Sequence, residues 1–234
     1  MGGRAVDKLQ AQSTRHQLFF RSPPRTKAGV SEVLRVKSKR QLAGILGLSL
    51  LVSGCALLRS APPPLDTYSL SAPTVTEGPR RPRIQILVAE PTALKALEGE
   101  RIVIFPAPDS IEYLSGAQWA DRLPRVIQLK LADAFQQSGR FGGVGKPGEG
   151  LAIDYQIITE VRRFGIEAFG ASGAVVELNV RLLNDRTGVV RASQTFTARA
   201  PLGGGEGNAA YVNALDAAFS QVGADIIRWA ASSI

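Results

Sequence analysis

The sequence has 234 residues and carries 28 lysines and arginines against 20 acids, a formal charge of +8. The excess is local: residues 1–54 hold 10 of the basic and 2 of the acidic side chains, which leaves 18 of each in residues 55–234. A neutral body gives charge-driven nucleic-acid binding no footing. His16 is the only histidine and Cys55 the only cysteine, so the body lacks the imidazole of a Ser/His/Asp triad or Cys/His dyad, the usual ligands of a zinc site, and the partner for an internal disulfide. No metal and no cofactor are expected. With 44% apolar residues overall, the remaining length suffices for one ordinary core.

Arg35, Lys37, Lys39 and Arg40 form a basic cluster, and Leu42–Val52 is an uncharged run ending in the small residues Ser53 and Gly54. That order is a secretory signal pattern. A membrane-spanning helix is a competing reading, but it needs about 20 apolar residues, and Arg59 closes this stretch too early. A buried helix in a cytosolic core is the other competitor. Residues 1–54 are therefore read as a leader, with 35–54 as signal peptide. The polar, Arg-rich residues 1–34 read as an extension upstream of the true start, translation beginning at or near Val36 through a GTG codon; the competing reading is a genuine cytosolic arm.

Leu51, Val52, Ser53, Gly54 and Cys55 resemble a bacterial lipobox. That resemblance implies a diacylglyceryl group on the thiol of Cys55, cleavage between Gly54 and Cys55 by a lipoprotein signal peptidase, and acylation of the new amino terminus, with palmitate as the typical chain. Each buried methylene adds about 0.8 kcal/mol, so two or three chains make a permanent anchor where one would not. Residues 55–65 are then a lipidated cysteine and a Pro-ended tether reaching roughly 25–30 Å at about 3.1 Å per extended residue.

Residues 66–234 are read as the folded domain. Strands are expected at 67–70 and 83–88, and at 101–105, where Ile102 and Ile104 alternate with Val103 and Phe105 and suit a strand buried on both faces. A short strand is expected at 111–114. From Asp121 to Ser138, Leu123, Ile127, Leu131 and Phe135 line one face of a helix, with Pro124 tolerable only in its first turn. Residues 138–150 read as a break. In 151–164, Ile153, Tyr155, Ile157 and Val161 share one face while Asp154, Gln156, Glu160 and Arg162 share the other. Residues 174–183 place Val176, Leu178, Val180 and Leu182 inward, residues 184–188 turn, and Val190, Ala192, Phe196 and Ala198 continue the inward face. Val212, Leu215, Phe219, Val222, Ile226 and Trp229 step at helical spacing and close the chain. The sum is a single-domain α+β fold, a largely antiparallel mixed β-sheet with two amphipathic helices packed on one face.

Motifs that carry chemistry elsewhere lack their context. Gly143–Gly148 matches G-x-G-x-x-G, but a helix precedes it and a strand follows, the reverse of a phosphate-binding turn. The region around Ser172 approaches a nucleophile elbow but has Ala174 for the last glycine and no histidine. Asp109 and Glu112 could make a carboxylate pair, though solvated surface charge is the simpler role. Trp119, Phe164, Phe169 and Tyr211 are read as core packing rather than binding anchors. Residues 202–207 read as a mobile link.

The lipobox, the early Tyr68-Ser69-Leu70 strand, the strand at 101–105, the block from Glu112 to Phe141 and the long later strands together resemble the ABC-type transport auxiliary lipoproteins, the PqiC-like group. The resemblance covers nearly all of residues 55–234 and implies a non-enzymatic envelope lipoprotein. Its expected partners are an MCE-domain protein and an ABC permease and ATPase moving lipids between two membranes, with no nucleic acid among them. A homo-oligomer stays open. Ala56 after the lipidated cysteine implies the periplasmic face of the outer membrane. Three alternatives remain beside this: an envelope lipoprotein that itself binds a small apolar ligand, a scaffold in another envelope assembly, and, last, an enzyme working without histidine.

Overall fold

The structure, a computed structural model, describes residues 64–203 and 207–234. Cys55, the lipobox residues Leu51, Val52, Ser53 and Gly54, the leader, most of the tether and the middle of the 202–207 link lie outside the described residues. The order of elements is β1 (Asp66–Tyr68), β2 (Arg81–Val88), β3 (Thr92–Ala93), β4 (Arg101–Phe105), β5 (Glu112–Trp119), α1 (Leu123–Gln137), β6 (Phe141–Gly145), β7 (Tyr155–Glu167), β8 (Gly173–Asn184), β9 (Val190–Pro201) and α2 (Asn208–Ser233). Among the described residues, all nine strands join one mixed sheet and the two α-helices are α1 and α2.

The spine of the sheet is β7. One edge pairs antiparallel with β8 from Tyr155 opposite Asn184 to Glu167 opposite Gly173, and β8 pairs in the same sense with β9. The other edge is shared in succession by three short parallel strands: β2 beside Tyr155–Ile157, β3 beside Glu160 and Val161, and β4 beside Ile166 and Glu167. Beyond these, β6 runs parallel to β2, β5 antiparallel to β4, and β1 parallel to β5. The long ladders are antiparallel and the short ones mostly parallel, and β4 is central as its two apolar faces require.

Both helices lie on one face, α2 over β8 and β9 and α1 over β6 and β2. From α1, Leu123, Val126, Ile127, Leu131 and Phe135 face the core, with Pro124 in the first turn. From α2, Val212, Leu215, Phe219, Val222 and Ile226 do the same, and each such burial removes enough apolar surface to contribute about 1.5–3 kcal/mol. Trp229 is half-buried, its ring 5.5 Å from that of Phe196 in an edge contact. Trp119 is 1% exposed; it meets Phe164 edge-on at 5.9 Å, and Phe164 in turn meets Phe219 at 6.2 Å, so one aromatic chain ties β5, β7 and α2.

Two local readings are corrected, the break at 138–150 and the inward Val190, and a bulge in β7 adds a feature the sequence did not announce. Residues 141–145 form a strand rather than part of a break. Gly142 is needed there because a Cβ would lie 2.3 Å from the carbonyl oxygen of Pro82, so the residue that weakens strand propensity is the one that lets β2 and β6 approach. Strand β7 carries a bulge at Arg162, between the pairs Val161–Leu178 and Arg163–Glu177. The extra residue reverses parity, so Phe164 and Ile166 face the core and Arg163, Gly165 and Glu167 face the other way. A second bulge in the β8–β9 ladder, between Leu182 and Leu183, turns Val190 outward, and it is 45% exposed instead of inward.

Candidate functional site

The motifs read as bland in the sequence keep that character in three dimensions. Gly143 and Gly145 belong to β6, and Lys146 opens a turn in which its ammonium lies 2.8 Å from Glu149 while its backbone N–H donates to the same carboxylate. Those contacts hold Glu149 below the ordinary glutamate range, the side-chain hydrogen bond from Lys146 contributing most. Ser172 spends its hydroxyl on the carbonyl of Glu167, 3.1 Å away, closing the β7–β8 hairpin. Asp109, in the β4–β5 loop, and Glu112, the first residue of β5, are both exposed. Among the described residues, no group of three or more His, Cys, Asp or Glu side chains is placed to hold a metal. Phe169 and Tyr211 are half-buried against the core.

Among the described residues, a concentrated polar arrangement around Glu167 was not visible in the sequence. On the face away from the helices, Glu167 is buried beside two arginines. Arg163 lies four residues back along the same strand with Nε 2.9 Å from Oε1, and Arg199 reaches across β8 from β9 to pair with the other oxygen. The hydrogen bond to Glu167 raises the pKa of Arg199. Gly165 stands between Arg163 and Glu167, and the ring of Phe105 occupies the space a side chain would take; the Arg163 guanidinium sits 4.2 Å above that ring. Arg163 Nε and Nη2 are buried and make no well-aligned hydrogen bond; the Glu167 carboxylate 2.9 Å from Nε balances the charge, and the aromatic face beneath adds to it. A second such contact, Arg101 at 3.5 Å over Tyr113, lies beside it.

Glu167 is thereby occupied. Both oxygens of the carboxylate are engaged by guanidinium groups, and with Phe105 beneath Arg163 the cluster works as a clamp joining β4, β7 and β9. Around it the exposed face is polar: Arg162 donates to Thr195, as does Asn179 at 3.0 Å. The sequence carried no signal for the clamp, because the bulge at Arg162 decides which residues share that face.

Two surface clefts border this face. One, of about 400 Å³, is lined by Thr92, Ala93, Leu94, Glu160, Val161 and Arg162. The other, of about 190 Å³, lies along Ala171–Ala174 and Arg199–Pro201. Beneath the sheet, the large side chains Trp119, Phe135, Phe164 and Phe219 fill the interior.

Known proteins share this chain's pattern. A family model described as ABC-type transport auxiliary lipoprotein component matches residues 68–227. A protein of Bradyrhizobium diazoefficiens, uncharacterized protein bll6063, is 30% identical over 192 residues, which is 81% of this chain and 50% of that one. The chain thus spans about half the length of that relative. Among solved structures, protein XCC0632 of Xanthomonas campestris, described as DUF330, aligns with a TM-score of 0.66 at 27% identity over 71% of this chain and 95% of that one. A second, described only as an uncharacterized protein, shares the fold with a TM-score of 0.55 at 18% identity, covering 71% of this chain and 98% of its own.

Proposed function

The chain belongs to the ABC-type transport auxiliary lipoprotein family, and from that membership we propose that it is the non-enzymatic, lipid-anchored auxiliary subunit of an MCE/ABC-type system moving lipids between two membranes of a cell envelope. The observation that carries the reading is the coincidence of two independent features. The family match begins at Tyr68, inside β1, and a lipobox-like Leu51–Cys55 stands only 13 residues upstream of that tyrosine. A short leash followed directly by a folded body is what an accessory subunit needs to stay beside its transporter.

In this reading Cys55 carries the diacylglyceryl and N-acyl groups, and Ala56 after it favours the periplasmic face of the outer membrane. Holding the body within roughly 30 Å of one membrane raises its local concentration at a partner that reaches across the periplasm, so a modest docking surface suffices. The polar face around Arg162, Asn179 and Thr195 and the interior packed with aromatic residues agree with recognition by surface complementarity.

Affinity purification of the tagged chain in mild detergent tests this. An MCE-domain protein with its permease and ATPase should co-purify, and a deletion strain should show a lipid-transport phenotype. Loss of both results refutes the proposal. The 400 Å³ cleft beside the exposed Leu94 supports a second reading, direct binding of a small apolar ligand, for which the sign is a lipid retained in the native mass spectrum.

A further inference from the structure

We infer that the end of the sheet from whose side the chain enters the fold is a lipid-facing rim, with Leu65, Ile111 and Phe169 its contact side chains and a zwitterionic headgroup layer its partner; this rests on the lipid anchor at Cys55 proposed above. Topology defines the rim. At the end of β7, Glu167 lies beside Phe105 of β4 and Gly173 of β8, and Gly173 lies beside Pro201 of β9. The β4–β5 loop (106–111), the β7–β8 hairpin loop (168–172) and the exit of β9 therefore gather at one end. Strand β1 runs parallel to β5 and away from this end, with Asp66 beside Ala117. The residues that precede it come from the rim side.

The opposite end holds the 146–154 loop and the 185–189 hairpin, fastened by Arg186 at 2.6 Å from Asp154 and by the Asp185 N–H donating to the Asp154 carbonyl at 2.9 Å.

Chain length then selects which end meets the bilayer. From Cys55 to Leu65 is ten residues, about 31 Å when fully extended at roughly 3.1 Å each. Asp66 is level with Ala117, next to Gln118, whose partner is Arg101 of β4; Ile104, three residues on, pairs Ile166. The tether thus leaves at about the height of residue 163. Eight residues down β7 to Tyr155 is about 26 Å at roughly 3.3 Å per residue, and the hairpin turn adds about 5 Å. Laying the far end on the bilayer would stretch the tether to its limit along the body and remove its conformational entropy. The rim reaches the bilayer with slack.

The chemistry of the rim agrees. Leu65 is 51% and Ile111 45% exposed, and Phe169 is half-buried nearby. Four carboxylates, Asp66, Asp109, Glu112 and Glu167, stand at this end and its approach against three arginines, Arg101, Arg163 and Arg199, and residues 106–111 and 168–172 hold no lysine or arginine. Apolar tips beside carboxylates suit a zwitterionic layer and disfavour an anionic one. The exposed Val189 and Leu151 of the far end are then turned away from the bilayer, towards whatever the anchor holds the body out to meet.

The test uses the intact lipoprotein in phosphatidylcholine and phosphatidylethanolamine vesicles. Because Cys55 is the sole cysteine and its sulfur is consumed by lipid, the variants Ile111→Cys, Ala171→Cys and Thr187→Cys each take one environment-sensitive fluorophore. Labels at 111 and 171 should be quenched several-fold more by lipids spin-labelled near the headgroup than the label at 187. Equal quenching, or stronger quenching at 187, overturns the inference in samples that float with the vesicles. If the chain does not float and Cys55 itself takes the label, the anchor reading fails and the rim falls with it.

Discussion

Replacing Gly165 with alanine should destabilise the fold, although restricting a glycine in the unfolded chain ordinarily contributes about 0.4–1 kcal/mol of stability. At this position an added Cβ would lie 2.6 Å from the carbonyl oxygen of Val103 and 2.7 Å from Cε2 of Phe105. Carbon contacts are comfortable near 3.5–4.0 Å, so close to 1 Å must be found, and one of the two obstacles is backbone. Strand β4 is paired to β7 at Ile104 and Phe105, which makes separation of the two strands the easiest relief. Overpacking of this kind costs about 1–3 kcal/mol. Against the glycine gain, the net is a loss of about 1–2 kcal/mol, or roughly 2–8 °C in Tm for a domain of this size. Urea unfolding followed through Trp119 fluorescence reads it directly. Gly99→Ala is the control, because its Cβ meets nothing nearer than the Arg101 nitrogen at 4.0 Å, and it should leave stability unchanged or slightly raised. In a Phe105→Leu background the ring obstacle is gone, and the cost of the added methyl should fall. A Gly165→Ala variant as stable as the parent would refute the account of why the outer face carries no side chain there.

Trp119→Ala should cost about 3–5 kcal/mol, since the indole is 1% exposed and its loss strands Phe164; a loss below 1 kcal/mol in chemical denaturation would place the residue outside the core. Glu167→Ala leaves Arg163 buried without its anion, while Arg199, 60% exposed, is reclaimed by solvent. The expected loss is about 2 kcal/mol, below the 3–5 kcal/mol of a fully buried pair, and an unchanged denaturation midpoint would show the clamp to be idle. Glu149 should titrate below the ordinary glutamate range by NMR, because Lys146 donates to it from both side chain and backbone. Its folded value is depressed, so its contribution is present above the ordinary glutamate range and fades as pH falls through the lowered midpoint. Lys146→Met should bring that midpoint back up, and a midpoint already at the ordinary value would contradict the turn geometry.

The legible parts of the fold were those in which one periodicity ran unbroken. The spacing of Leu123, Ile127, Leu131 and Phe135, and that of Val212 through Ile226, located both helices and their buried faces. The alternation of Val176, Leu178, Val180 and Leu182 gave the inward face of β8, each residue fully buried. What escaped were places where a single residue changes the rule. Arg162 inserts into β7 and exchanges the faces of everything after it, so the clamp at Glu167 has no pattern in the sequence. Gly142 and Gly143 argued for a loop, yet Gly142 permits the strand by leaving room for the carbonyl of Pro82. Parallel pairings such as that of β3, two residues long, depend on β7 being present to receive them, and nothing local announces them. The candidate sites divide the same way: the proposed anchor rests on five consecutive residues, Leu51–Cys55, whereas the polar face around Glu167 is assembled from strands far apart in the chain.

That division bears on how a leash can act through this fold. Pro64 and Leu65 are exposed, but the chain is fixed within a few residues of them. Asp66–Tyr68 pairs with Ala117–Trp119, the Tyr68 carbonyl accepts from the Ala120 N–H at 2.7 Å, Leu70 is 3% exposed, and the Ser71 N–H donates to Asp216 of α2 at 2.6 Å. A pull on the tether is therefore delivered at once to β5 and α2, the two elements that carry Trp119 and Phe219, and so to the aromatic chain at the centre of the core. Little chain inside the domain can pay out, so under the proposed anchor at Cys55 the reach of the body would be set by the residues between that cysteine and Asp66. Under the proposed function, a partner whose docking surface lies beyond that distance would have to come to the anchored body, as the proposed auxiliary role requires.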